Sequence, residues 1–299
     1  MKGGFYMKKW IKSKNGKVRE VWESDSEKCV VLVAGDGVSA FDEQLGVNVP
    51  NKGKILTQMS AKWFALSEDL VPNALLTADT NEMPRCFHNS HFEGRTTKMI
   101  ALRMLPIEAI VRGYITGSMW GKYCKGERII CDYAMPEGLA ESQELPSPIY
   151  TPTTKAPAGQ HDEDINFEQS VAVIAEAGFD NARELAELVR DYSLKLYAFC
   201  RDYAREHGII LADTKFEFGI DEKGILRVAD EVCTPDSSRF WAIDQYEVGR
   251  SQDSMDKQLI RDWVKAAKNA GDEHPRVPGN ILQATSERYE KCFQLLFED

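Results

Sequence analysis

The sequence predicts an α+β protein of two lobes, an antiparallel β-rich N-terminal lobe and a larger α+β C-terminal lobe. Three observations carry that expectation. The first hundred residues read mostly as short apolar or alternating runs broken by turn residues. Beyond residue 180, long apolar stripes recur at helical spacing. Between them, an irregular stretch at 134–166 holds five of the 12 prolines, reading as a long functional loop because Lys155, His161 and Asp162 fall inside it. The expected division is 1–105 and 106–299, with a cleft at the seam.

The elements follow in order. Trp10 to Ser13, the turn Asn15-Gly16, and Val18 to Trp22 form a hairpin. Cys29 to Ala34 is a buried strand bounded by polar and glycine-rich turns. Ile55, Met59, Trp63 and Leu66 mark a helix over roughly 54–67. Met99 to Leu105 is a further apolar strand, ended by Pro106. A helix over 182–207 carries a core-facing stripe, with Asp180 or Asn181 to cap its start and Gly208 as a left-handed stop. Helices are also expected over 254–269 and 281–297.

Composition excludes several classes of function. With 47 acidic against 37 basic residues, the net charge of −10 argues against a duplex nucleic-acid partner. No run approaches the ~18 apolar residues of a membrane helix, and MKGGFYMKKWIK lacks the apolar core of a secretory signal. Seven scattered cysteines without a C-x-x-C pair suggest reduced thiols and a cytoplasmic protein.

Four features could carry chemistry. Six cations, Lys8, Lys9, Lys12, Lys14, Lys17 and Arg19, fall within an acid-free stretch. They read as a lysine-guarded edge or as a phosphate-covering hairpin. More informative is Ile209 to Gly219, where alternation places Asp213, Lys215 and Glu217 on one face and two phenylalanines on the other. A returning strand from Leu226 brings Asp230 and Glu231; pairing Ile220 with Ile225 would set Lys215 opposite Asp230. Carboxylates beside a lysine suit a nucleotide with Mg²⁺, or a cross-strand salt bridge. Third, Arg112-Gly113-Tyr114-Ile115-Thr116-Gly117-Ser118 precedes a helix start and resembles an anion site. Fourth, Ser237, Ser238 and Arg239 offer another cation with hydroxyls. His88 and His91 have no third ligand nearby and read as surface; neither a P-loop nor a dinucleotide fingerprint occurs.

Several strings together resemble the SAICAR synthetase (phosphoribosylaminoimidazole-succinocarboxamide synthase) family of purine biosynthesis. They are Gly16-Lys17-Val18-Arg19, Ser39-Ala40-Phe41-Asp42, PIEAIVRGYITGS from Pro106, Thr153-Thr154-Lys155-Ala156, LADTKFEFG from Leu211, and DEVCTPDSSRFW from Asp230. Asp256-Lys257-Gln258 and Arg261-Asp262-Trp263 continue the series. The resemblance implies a kinase-like or ATP-grasp-like two-lobe fold. It also implies an ATP-dependent ligase that joins CAIR and L-aspartate, through an acyl phosphate, to give SAICAR, ADP and phosphate.

On that resemblance, 1–105 is the nucleotide-covering lobe and 106–299 carries the metal, CAIR and aspartate sites. Lys14, Lys17 and Arg19 would cover the ATP phosphates, and backbone near Met104 and Glu108 would hold adenine. Lys215 would meet phosphate, Glu217 ribose or Mg²⁺, and Asp230 Mg²⁺. Arg112, Ser118 and Arg239 would hold CAIR, with Ser39 and Asp42 close by; Lys155 and Asp162 would close over CAIR and aspartate. The chain looks closest to the long form of the family and leaves room for a homo-oligomer. The rivals are a small-molecule kinase of related fold, inositol phosphate kinase-like, and an RNA-binding module using the basic hairpin.

Overall fold

The computed structural model describes residues 9–15, 19–40, 43–156, 162–273 and 275–298. A first sheet has the order β1-β2-β3-β7-β6, from β1 (Trp10–Asn15), β2 (Arg19–Ser24), β3 (Cys29–Ala34), β6 (Leu75–Thr77) and β7 (Thr96–Ile100). Between β3 and β6 come a two-stranded ribbon, β4 (Gly37–Ala40) and β5 (Glu43–Asn48), and helix α1 (Lys52–Leu66). The hairpin is present, with Asn15 paired to Glu20; its turn at 16–18 lies outside the described residues.

The second sheet is built around β14 (Ile209–Ile220). On one side β14 pairs with β9 (Ile107–Tyr114) over Asp213–Phe216 and with β8 (Arg103–Met104) at Gly219 and Ile220. On the other it pairs with β16 (Ser238–Ala242) and then β15 (Leu226–Ala229). β12 (Glu144–Tyr150) and β13 (Thr153–Thr154) complete the sheet against β9. A small ribbon, β10 (Ile129–Ile130) and β11 (Tyr133–Ala134), follows the short helix α2 (Gly117–Cys124).

Four further helices are α3 (Phe167–Glu176), α4 (Ala182–Glu206), α5 (Gln258–Asn269) and α6 (Gly279–Phe297). On α4, Leu185, Val189 and Leu196 are buried, while Leu188, Tyr192, Phe199 and Tyr203 pack at the core's margin, as the stripe predicts. Gly208 ends the helix at φ 75°. Asn181 holds the N-cap position of α4 without a side-chain capping bond. α5 packs on the β4–β5 ribbon through Val38, Val49, Ile260 and Val264. α6 packs on α1 through Ile55, Leu56 and Tyr289.

Three expectations need correction. The stretch 134–166 is not structureless: β12 and β13 lie within it, and Pro146 and Pro148 fall in β12 at the sheet's edge, where a missing N–H costs no ladder bond. The apolar run 99–105 is two strands, not one. β15 is offset by one residue from the predicted register, with Ile220 opposite Leu226 and Glu217 opposite Ala229. The cause is the turn. Asp221 accepts from the backbone of Lys223 and Ile225 and from Arg227 Nε, which fixes a longer loop, and pairing stops before Lys215.

The connection between the sheets, from β7 to β8, lies against Gly219. A β-carbon there would meet Leu102 Cβ at 2.8 Å, Arg103 O at 3.0 Å and Met104 Sδ at 3.0 Å. Gly219→Ala is expected to cost roughly 1–3 kcal/mol in urea unfolding, the usual scale of overpacking. An unchanged midpoint would show that the 102–104 segment moves aside freely.

Candidate active site

A cleft of about 950 Å³ lies between the two sheets. Its length follows β14. Alternation sends Phe216 and Phe218 into the core, 0% and 2% exposed, and turns Asp213, Lys215 and Glu217 toward the cleft. From Gly219, paired with Met104, to Asp213, paired with Arg239 across β16, the strand covers about 20 Å. One wall is apolar, formed by Val30, Leu32, Met99, Leu102 and Met104.

The middle of the cleft is a network of opposite charges. Lys215 Nζ donates to Glu108 Oε1 at 2.7 Å and lies 3.7 Å from Glu217 Oε1. Burial works against the Lys215 charge, but Glu108 and Glu217 outweigh it and hold its pKa above the ordinary lysine value. Glu217 also accepts from Lys155. Burial would raise Glu217, yet Lys155 and then Lys215 hold it below the usual carboxylate value. Across the cleft, Arg19 donates to Asp230 Oδ2 and Glu231 Oε2, each at 2.6 Å. Asp230 has φ 60°, a left-handed conformation that asparagine and aspartate tolerate best, and it ends β15 with its carboxylate on the cleft.

At the far end, Asp213 is held between two arginines. Arg112 Nη1 donates to Asp213 Oδ2 at 3.2 Å, and Arg239 Nη1 donates to the same oxygen. Arg112 Nε reaches Thr151 Oγ1 at 3.0 Å, so this guanidinium is buried beside Asp213, on the same face of the sheet, while Arg239 lines the cleft. Gly117, first residue of α2, has φ 58°, and a β-carbon there would meet Arg239 Nη2 at 2.4 Å. Absence of a side chain at Gly117 thus lets Arg239 rest against the start of α2, where backbone N–H groups favour anions.

The floor is a second charged cluster. Lys52, wholly buried at the start of α1, lies 2.7 Å from Asp236 Oδ2, an ion pair not aligned as a hydrogen bond. Lys257 Nζ is 3.9 Å from Asp236 Oδ1, and Tyr289 Oη donates to that oxygen at 3.3 Å. Burial disfavours the Asp236 charge, but Lys52 and then Lys257 hold its pKa well below the usual carboxylate range. Arg261 and Asp256 complete the cluster at 3.9 Å.

The residues expected from the sequence are distributed as follows. Arg19, Met104, Glu108, Lys215, Glu217 and Asp230 share the cleft, as do Ser39, Lys155, Asp162 and Arg239. Arg112 does not line it, being committed to Asp213 and Thr151. Ser118 is exposed on α2, one residue from the Gly117–Arg239 contact. Lys14 stands on β1, its backbone opposite Val21. Lys17 and Asp42, like His161, lie outside the described residues. His88 and His91 are exposed. Sequence reasoning assigned no role to Lys52, Asp236, Lys257 or Arg261; the signals were that Asp236 falls within DEVCTPDSSRFW and that Lys257 and Arg261 fall within the strings Asp256-Lys257-Gln258 and Arg261-Asp262-Trp263.

The SAICAR synthetase family model matches residues 12–278 of this chain. The chain belongs to the SAICAR synthetase family. A phosphoribosylaminoimidazole-succinocarboxamide synthase of Lachnospira eligens is 48% identical over 281 residues, spanning 94% of this chain and 93% of that one. One from Streptomyces coelicolor is 43% identical over 286 residues, spanning 94% and 91%. Among solved structures, a SAICAR synthase from Saccharomyces cerevisiae complexed with SAICAR superposes with a TM-score of 0.83 at 37% identity, covering 100% of this chain and 98% of that one. The two-lobe α+β fold is therefore that of the SAICAR synthetases.

Removing the Asp236 charge leaves Lys52 buried without its counter-ion. Asp236→Asn is expected to lose about 3–5 kcal/mol at pH 7, the scale for breaking one side of a buried pair. Because the folded-state pKa of Asp236 is depressed, its stabilisation is complete above the unfolded value near ~4 and fades as pH falls below it. Urea unfolding of both proteins should therefore show a gap that narrows from pH 7 to pH 3. A gap independent of pH would mean that the carboxylate's charge contributes nothing.

Proposed function

We propose that this cleft joins the carboxylate of CAIR to the amine of L-aspartate, converting ATP to ADP and phosphate and releasing SAICAR. As a member of the SAICAR synthetases, the enzyme is a carbon–nitrogen ligase of purine biosynthesis. The observation that carries the site assignment is the succession of three zones along β14: an apolar wall, a charge network, and an arginine beside a helix start. ATP fits with its adenine against the wall and the backbone of Met104–Glu108, and its phosphates between Arg19, Lys155 and Lys215. Arg239, Ser238 and the start of α2 suit the 5′-phosphate of CAIR, with Arg112 fixing Asp213, the carboxylate on which Arg239 rests.

The residues present suit Mg²⁺. Among the described residues, no group of three or more His, Cys, Asp or Glu side chains could by itself hold a metal ion. Glu217 and Asp230 instead offer two hard carboxylates lining the same cleft, each now paired with a cation of the chain. Mg²⁺ commonly binds through one or two carboxylates together with substrate phosphates and water, so this donor set fits an ion that arrives with the triphosphate. When bound, it would neutralise phosphate charge as the γ-phosphoryl group moves.

A carboxylate oxygen is a poor leaving group. Transfer of the γ-phosphoryl group to the CAIR carboxylate makes an acyl phosphate; attack by the aspartate amine then forms the amide and expels phosphate. Such transfer depends on alignment and charge neutralisation, which Lys215 and Arg19 supply on the phosphate oxygens. Ser39, Lys155 and Asp162 lie where they could close over the reacting groups, and Asp162 already accepts from the backbone of Ala156 at 2.7 Å. The division into a nucleotide-covering lobe at 1–105 and a substrate lobe at 106–299 belongs to the same reading. The seven free cysteines support a cytoplasmic setting. The inositol phosphate kinase-like alternative is not favoured, since the family match covers most of the chain.

The deciding experiment is an ADP-release assay with ATP, CAIR and L-aspartate, omitting each in turn. Full turnover should require all three, and undiminished ADP release without aspartate would favour a kinase instead. In the same assay Asp230→Asn should lose at least ~10³-fold in turnover, the scale for electrostatic groups acting on the transition state, while its melting temperature stays within a few degrees. Near-normal turnover would remove Asp230 from the metal site.

A further inference from the structure

The basic hairpin reaches the opposite side of the cleft through Arg19, whose two terminal nitrogens meet carboxylates of consecutive residues, Asp230 and Glu231. These two acids are not equivalent. Glu231 is 8% exposed, and its Oε2 also accepts from the Thr234 hydroxyl at 2.6 Å. Thr234 is fully buried and donates its backbone N–H to Ser237 Oγ at 3.2 Å. Between them, Val232 N donates to Ser60 Oγ on α1 at 3.1 Å. The Glu231 carboxylate is thus fixed by its own loop. Asp230 has no such anchor among the described residues; it faces the cleft and is held by Arg19.

We infer that Glu231 is a positioning residue, the fixed post that docks Arg19 and with it the β1–β2 hairpin over the phosphate zone. This rests on the ligase reading above for what the hairpin covers. A guanidinium held by two adjacent carboxylates keeps one partner when the other turns to a metal ion. Asp230 is therefore free to exchange Arg19 for Mg²⁺ while Glu231 holds the hairpin in place. Had Asp230 been its lone partner, metal binding would leave Arg19 without an anchor across the cleft just when the phosphates need covering. Division of labour between neighbouring acids accounts for why the anchored one is buried and the other is half-buried on the cleft.

The test uses the whole protein in two measurements. Without ligand, Glu231→Gln should be cut by trypsin within residues 9–24 several-fold faster than wild type. With Mg²⁺ and ADP in a calorimeter, its dissociation constant should rise about tenfold, the equivalent of one charge-assisted hydrogen bond. The Michaelis constant for CAIR should be unchanged. In an Arg19→Ala background, Glu231→Gln should add nothing to the ADP dissociation constant, because the two residues act as one unit. Thr234→Val keeps the carboxylate and removes only its anchor, so it carries the test if Glu231→Gln does not fold; the same two changes, smaller, are expected. Wild-type cleavage rate together with unaltered Mg–ADP affinity would overturn the inference, as would additivity with Arg19→Ala. Failure of wild-type protein to bind ADP would sink the ligase reading alone, and the tryptic comparison would still decide the role of Glu231.

Discussion

Strand β14 runs through twelve residues with partner strands along one side or both, so its side chains can project only above and below the sheet. That constraint organises the molecule. One face meets α4 and must be apolar; the other carries an aspartate, a lysine and a glutamate that low-dielectric surroundings would otherwise penalise. Each finds opposite charge from a different part of the chain: Asp213 from Arg112 and Arg239, Lys215 from Glu108, Glu217 from Lys155. The counter-charges come from β9, β16 and the segment after β13. Neutralising one strand face thus draws together the elements that line the cleft.

The same arrangement explains how an acidic protein can handle anionic substrates. Net charge is a property of the whole surface, whereas the cleft places cations at chosen points along a fixed line. Those cations are already paired within the chain, so none of these charges stands alone in the fold.

Much of this was legible in one sequence. Period-two alternation from Ile209 to Gly219 identified both faces of β14, since the two phenylalanines can only be inside. The helical stripes identified α4 in the same way. The offset of β15 was not legible, because it depends on how the Asp221 carboxylate caps its own loop, a local choice that alternation does not reveal. Lys52 was invisible for a different reason: a lysine at a helix start normally faces water, and its burial follows from Asp236, 184 positions later. Arg112 and Arg239 looked alike as cations beside hydroxyls. Which of them lines the cleft is decided by tertiary placement, with Thr151 and Asp213 together burying the first one.

Helix α6 adds a temporal dimension to the fold. Its Ser286 hydroxyl donates to Pro50 O, Arg288 reaches Ser254 O, and Tyr289 closes over the aspartate that neutralises Lys52. These partners are separated by up to 236 positions, so they are made only after the chain as far as α6 has left the ribosome. Until the turns that carry Tyr289 emerge, the growing chain holds a lysine whose ion pair lies uncovered beneath the half-built cleft.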